Sequence, residues 1–232
     1  IGTYEGLTKF NGINWTTYNT GNSGLPNNFV GQIFIDITGE MWIGTGEGLV
    51  KFDGINWQTY NTSNSGLAGT RIDFIVIEDA EIIWMGTNGG VTVFDGTDWL
   101  IYNTLNSGLP ADWATSMAIE GNGTKWFGTQ YAGLAAFDGT NWTVYNTSNS
   151  GLPYDWIGPI AIDQDGVKWI GFNLFPDQSG LASFDGTNWQ VFNTTNSGIP
   201  DNSVFSIAID SEGVKWIGSY TGLTKYDGVS WT

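Results

Sequence analysis

Phe137-Asp138-Gly139-Thr140-Asn141-Trp142 decides the fold, because the chain writes this phrase six times. Near-copies occupy Phe10–Trp15, Phe52–Trp57, Phe94–Trp99, Phe184–Trp189 and Tyr226–Trp231, and their tryptophans follow one another at 42, 42, 43, 47 and 42 residues. A fixed period of this size marks stacked units, each unable to bury its apolar face without a neighbour. Repeated residues are then scaffold, and a specific activity belongs to residues that break the repeat.

Working outward from the phrase, one unit reads as four short strands. Val30–Ile35 is strand a, followed by the turn Asp36-Ile37-Thr38-Gly39. Met41–Gly44 is strand b and Gly48–Phe52 strand c. Asp53-Gly54 is a hairpin turn, leading to strand d at Trp57–Tyr60. Four antiparallel strands every ~42 residues spell a β-propeller blade. A sandwich explains the strands but not the period. Strands b, c and d occur six times, whereas strand a occurs five times, ending at Ile35, Ile77, Ile119, Ile162 and Ile209. Six blades, the first lacking its innermost strand, is the simplest reading; five blades with a redundant terminal segment is the alternative. The expectation is one all-β domain over 1–232, in units of about 1–18, 19–60, 61–102, 103–145, 146–192 and 193–232. Ile1-Gly2-Thr3 matches the interior of later Trp-Ile-Gly phrases, so a segment of a longer protein is expected.

Composition agrees with many short strands: 41% hydrophobic, 15% aromatic, 13% charged, with 34 glycines. The net charge of −16 repels phosphate backbones and anionic lipid, which disfavours nucleic-acid and membrane-surface partners. No apolar run approaches the ~20 residues of a membrane helix. Histidine and cysteine are absent, removing the commonest bases and thiol nucleophiles. No cofactor motif is present, and no Gly-rich phosphate loop leads from a strand into a helix. Glu78-Asp79-Ala80-Glu81 concentrates acids but offers no evident cage of six to eight oxygens, so no metal is expected. Sequons at Asn14, Asn61, Asn122, Asn141, Asn146 and Asn193 fall mostly within repeated phrases and say little about glycosylation.

The phrases Asn193–Pro200, Ile207–Asp210, Gly213–Gly218 and Gly222–Tyr226 together resemble two-component-regulator propeller repeats over essentially the whole chain. That resemblance implies the propeller fold and an extracellular or periplasmic bacterial setting. In that family such propellers are sensors that bind oligosaccharides, or parts of secreted and surface-attached proteins. The stretch Asp163-x-x-Gly166-x-x-Trp169 is also similar to the structural Asp-box turns of some glycosidase propellers.

Eleven of 13 tryptophans stand at repeated positions on strands b and d, where packing between blades is expected. The repeated Asp-Gly pairs are expected to serve turns. The exceptions converge. Five residues past Gly24, Gly66, Gly108, Gly151 and Gly198 stand Phe29, Arg71, Trp113, Trp156 and Ser203. The two unrepeated tryptophans thus share one ring position, each after an aspartate (Asp112, Asp155), while Arg71 precedes Asp73 by two residues. The b–c loop of the fifth unit is five residues longer, carrying Phe175 and Asp177, and the loop of the fourth carries Tyr131. The d–a and b–c connections share one face of a propeller. Aromatic faces beside carboxylates suit a saccharide or a protein loop. The expected function is therefore non-catalytic binding by Phe29, Arg71, Asp73, Asp112, Trp113, Tyr131, Asp155, Trp156, Phe175 and Asp177. Trp113 and Trp156 would stack, Asp112 and Asp155 would accept hydrogen bonds, and Arg71 would meet an anionic or hydroxyl group. A structural or protein-interaction module of a surface protein is the competing reading. A glycosidase would need two facing carboxylates, which Asp112, Asp155, Asp73 and Asp177 could supply only if folding brought two together.

Overall fold

The computed structural model describes residues 1–78, 82–173 and 179–232. Among these residues every regular element is a strand, and 22 strands form six antiparallel sheets. The chain divides into two compact units, residues 1–103 and 104–232.

In the first unit, sheet one comprises β1 (Gly2–Thr3), β2 (Gly6–Phe10) and β3 (Trp15–Tyr18). Sheet two comprises β4 (Val30–Ile35), β5 (Met41–Thr45), β6 (Gly48–Phe52) and β7 (Trp57–Tyr60). Sheet three comprises β8 (Ile72–Glu78), β9 (Ile82–Thr87), β10 (Gly90–Phe94) and β11 (Trp99–Tyr102). In the second unit, sheet four holds β12 (Ala114–Ile119), β13 (Lys125–Thr129), β14 (Leu134–Phe137) and β15 (Trp142–Tyr145). Sheet five holds β16 (Ile160–Ile162), β17 (Lys168–Gly171), β18 (Leu181–Phe184) and β19 (Trp189–Phe192). Sheet six holds β20 (Val204–Ile209), β21 (Lys215–Ser219) and β22 (Gly222–Tyr226), with strand d reduced to a bridge between Tyr226 and Trp231. These are the blades of an all-β propeller. Six sheets are present, the first without strand a, and the five-blade alternative falls away.

Each hairpin is fixed by its own residues. Asp53 Oδ1 accepts from the backbone N–H of Ile55 and Asn56 at 2.8 and 2.6 Å, while Gly54 takes φ +99°. That turn sets Phe52 opposite Trp57, whose rings stack at 3.9 Å. The same aspartate turn recurs at Asp95, Asp138, Asp185 and Asp227. The expected turn duty of these aspartates is what the structure shows.

Sheets pack through a repeated set of apolar residues. Trp42 and Leu49 of sheet two meet Ile72, Ile75, Ile83, Met85 and Phe94 in and around sheet three. Trp126 and Leu134 of sheet four meet Ile157, Ile170, Phe172 and Phe184 in the same way. The strand-b indoles Trp42, Trp84, Trp126 and Trp169 are buried, and packing is their role.

Their single polar atom is also satisfied. Each indole Nε1 donates to the acid that opens the preceding turn: Trp42 to Asp36, Trp84 to Glu78, Trp126 to Glu120 and Trp169 to Asp163, at 2.8–3.1 Å. In the second unit a lysine of the next sheet completes a clamp. Lys168 Nζ lies 2.8 Å from Glu120 and 4.7 Å from the Trp126 ring centre. Lys215 Nζ lies 3.2 Å from Asp163 and 4.9 Å from the Trp169 ring centre. Acid and indole come from one sheet and the ammonium from the next.

This clamp makes a pH prediction. Burial alone would raise the Asp163 carboxyl, but the Trp169 indole N–H, the Val167 N–H and the Lys215 ammonium outweigh it and hold the pKa below the ordinary 3.8. A carboxyl lowered in the folded state contributes stability that is present above its unfolded pKa and lost as pH falls through its folded one. The stability gap between the wild type and Asp163→Asn should therefore narrow as pH falls from about 5 to about 2. Urea unfolding of both proteins across that range measures it, and bulk charge repulsion largely cancels in the difference. A gap that widens with acid refutes the clamp.

Candidate functional site

Three b–c loops bond the backbone of the ring position in their own sheet. Gly46 N–H donates to Phe29 O, Gln130 N–H to Trp113 O and Tyr220 N–H to Ser203 O, at 3.0–3.3 Å. In sheet three the contact is made instead by Asn88 Oδ1, which accepts from Arg71 N–H at 3.3 Å. The d–a and b–c connections therefore lie together, as the repeat pattern predicts. The ends of the long b–c loop join them: Phe172 O accepts from Val204 N–H, and Gly180 N–H donates to Asn202 O. Phe175 and Asp177 themselves lie outside the described residues, as do Asp79 and Glu81.

In the second unit the two unrepeated tryptophans meet. The Trp113 and Trp156 rings are 6.5 Å apart at 51°, and Tyr131 sets its ring edge-on to Trp156 at 4.6 Å. Both indoles are half-buried, so they neither sink between sheets nor stand free. Tyr131 is 63% exposed. Its backbone holds φ +59°, the one non-glycine residue with positive φ among the described residues. A left-handed conformation at a bulky residue costs roughly 1–2 kcal/mol and persists only where surrounding bonds enforce it. They do so here. Gln130 N–H binds Trp113 O on one side, and Gly133 N–H binds Asp155 O at 2.8 Å on the other. The tyrosine is thus pinned between the two segments that carry the tryptophans.

In the first unit, Phe29, Arg71 and Asp73 form one cluster. The Arg71 guanidinium lies 5.3 Å from the Phe29 ring centre, and its Nε donates to Asp73 Oδ1 at 2.8 Å. Tyr4 adds a ring 5.3 Å from Phe29. The guanidinium already has a carboxylate and an aromatic face, so its charge is matched within the protein.

Asp112 and Asp155 each hold the d–a connection of their own sheet. Asp112 Oδ1 accepts from Thr104 N–H at 2.8 Å, and Asp155 Oδ1 from Thr147 N–H at 2.7 Å. Asn28 and Asn202 make the same bond to Thr20 and Thr194 at 2.9 Å. The position belongs to the repeat: it needs a short side chain with an acceptor oxygen, and Asp and Asn serve alike. These carboxylates tie down the d–a connection. Among the described residues no group of three potential metal ligands gathers. The chemistry on offer is an aromatic surface of two indoles and a phenol.

The two-component regulator propeller model matches residues 24–47. No curated protein matches the chain. Among solved structures, the extracellular domain of a hybrid two-component system of B. thetaiotaomicron is similar at 21% identity and TM-score 0.75, over 97% of this chain and 33% of that one. PorZ, a surface component of the type-IX secretion system of Porphyromonas gingivalis, is similar at 18% identity and TM-score 0.77, over 97% of this chain and 36% of that one. A catalytically inactive virginiamycin B lyase from Staphylococcus aureus, with a histidine replaced by alanine, is similar at 12% identity and TM-score 0.72, over 97% and 75%. The chain spans about a third of the length of the first two. At these identities the structures share the fold, and two of the three come from extracellular or surface proteins. Residues 24–47 match the two-component regulator propeller model, and the chain as a whole has the β-propeller fold.

Proposed function

We propose that this propeller is a non-catalytic binding module of a secreted or periplasmic protein, and that it takes a saccharide on Trp113, Trp156 and Tyr131. The observation that carries the reading is the pinned Tyr131 between two half-buried indoles. Strain at a loop residue that contributes nothing to the core has a purpose if it holds a ring in place. Stacked rings match the C–H faces of a sugar, and a site fixed in advance avoids ordering costs on binding. The net charge of −16 favours an uncharged saccharide over a polyanionic one. Absence of catalysis is supported by the lack of any histidine, the residue whose replacement inactivates the similar lyase. The extracellular domain and the surface component among the similar structures support the location.

A glycan array followed by titration calorimetry tests this. Trp113→Ala and Trp156→Ala should each weaken binding about 30-fold, the ~2 kcal/mol of a central aromatic contact, with the melting temperature little changed. Tyr131→Gly, which relieves the strain and removes the ring, should weaken binding while raising stability. Absence of any bound glycan, or affinity indifferent to all three substitutions, would overturn the reading.

A further inference from the structure

Sheet two carries the acid and the indole of the clamp, but the sheet after it brings no lysine. Ile83 precedes Trp84 where Lys168 and Lys215 precede Trp169 and Trp216. The consequence falls on one oxygen. Asp163 Oδ2 accepts from Trp169 Nε1 at 3.0 Å and from Lys215 Nζ at 3.2 Å. Asp36 Oδ2 accepts from Trp42 Nε1 at 3.1 Å, and among the described residues it has no second donor. Asp36 Oδ1 is engaged by its own turn, taking the N–H and the hydroxyl of Thr38 and the N–H of Glu40. Lys51 is no substitute: Glu40 Oε2 holds its ammonium at 2.6 Å, and it acts on Asp36 only through space. A groove of about 450 Å³ runs between sheets two and three at this point, lined by Asp36 and Trp42 from the one and by Ile77, Ile83 and Phe94 from the other.

The geometry points to a binding site for a lysine side chain of a partner peptide, its ammonium on Asp36 Oδ2 and its stem along Ile77, Ile83 and Phe94. The chain supplies the precedent, since Lys215 makes this contact with Asp163 in the second unit. Isoleucine ends at the carbon from which a lysine stem would go on to its ammonium. Ile83 therefore furnishes the apolar wall and leaves the carboxylate to an incoming chain. Charge agrees: Asp36, Glu40 and Asp95 line the groove, and Lys51 answers Glu40. A compact ammonium shares one oxygen with an indole N–H, whereas a planar guanidinium is built to span both oxygens of a carboxylate, and Oδ1 is already taken. None of these residues belongs to the aromatic surface of the second unit, so the inference is independent of the saccharide reading.

The test titrates nitrogen-labelled protein with a blocked glycine peptide carrying one central lysine, and follows the Trp42 indole N–H by nuclear magnetic resonance. The resonance should shift saturably, and the same peptide with norleucine for lysine should leave it in place. Asp36→Asn should weaken binding about tenfold, the loss of one hydrogen bond to a charged group. Ile83→Lys, which brings the ammonium in on the chain itself, should block the peptide at least as strongly. Its folding stability should also depend on Asp36 more than that of the wild type does, which a double-mutant cycle reads. No shift in the wild type, an equal response to the norleucine peptide, or affinity indifferent to both substitutions would overturn the proposal. Butylamine binding as tightly as the lysine peptide would overturn the assignment to a peptide partner. Should Ile83→Lys fail to fold, Asp36→Asn decides alone, because its amide oxygen still serves the turn.

Discussion

Alanine at Glu120 is expected to cost about 3–5 kcal/mol of folding stability, the range for breaking a buried ion pair on one side. Glu120 Oε1 receives Lys168 Nζ at 2.8 Å and Oε2 receives Trp126 Nε1 at 2.9 Å. The lysine side chain is 5% exposed and the glutamate 17%. Truncation leaves an ammonium without its anion and an indole N–H without its acceptor, and water reaches neither easily. Replacing the pair together, as Glu120→Gln with Lys168→Met, should recover most of the loss: glutamine still accepts from Trp126, and no charge remains buried. The comparison that isolates burial is the more exposed pair of Lys51 and Glu40, at 2.6 Å. Glu40→Ala should cost less than about 1 kcal/mol, because solvent screens the pair and its side chains give up entropy to hold it. Urea unfolding of the four proteins decides the matter. A Glu120→Ala loss no larger than that of Glu40→Ala would remove the clamp from the account of stability.

Gly133→Ala should be similarly damaging, at roughly 3 kcal/mol or more, because strain and collision add. Gly133 holds φ +87°, and an added Cβ would stand 2.1 Å from Tyr145 O, a backbone atom of strand β15 that cannot turn aside. Either strand β15 or the loop must move. The loop also holds Tyr131, so the saccharide affinity should fall together with stability. Gly139→Ala is the control. Its φ is +99°, yet nothing lies within 4 Å of the added atom. It should show the dihedral cost alone, about 1 kcal/mol, and leave binding unchanged. Equal losses at the two sites would mean that the collision is relieved without consequence.

The fold was legible because the chain states its unit several times. A single copy of Phe-Asp-Gly-Thr-Asn-Trp proposes a hairpin; six copies at a fixed period propose sheets that stack. The convergence of Trp113, Trp156 and Tyr131 was legible for the complementary reason, that departures from a repeat stand out. The turn-holding role of Asp112 and Asp155 was missed because only the residue after them was compared across units. Asn28 and Asn202 occupy the same place, and an amide oxygen accepts the Thr N–H as a carboxylate does. The Glu120–Trp126–Lys168 clamp left a fainter trace. Lysine precedes the strand-b tryptophan at Lys125, Lys168 and Lys215, but nothing in one unit shows that the lysine reaches the acid of the sheet before it. The left-handed backbone of Tyr131 has no sequence mark, because the bonds that enforce it come from Trp113 and Asp155, on two different sheets.

Because the clamp takes its anion and ring from one blade and its cation from the following one, whole blades are interchangeable parts on one condition. A newcomer placed after the Glu120 or the Asp163 blade must carry lysine just before its strand-b tryptophan, as Lys168 and Lys215 do. Duplicating or deleting one full period downstream of residue 104 preserves every such coupling, whereas excising half a period orphans a cation. Before that point Met41 and Ile83 stand where lysine would, so blades copied from there into the later half would leave a carboxylate unanswered. A blade copied within the second half thus keeps its partners, and one borrowed from the first half does not.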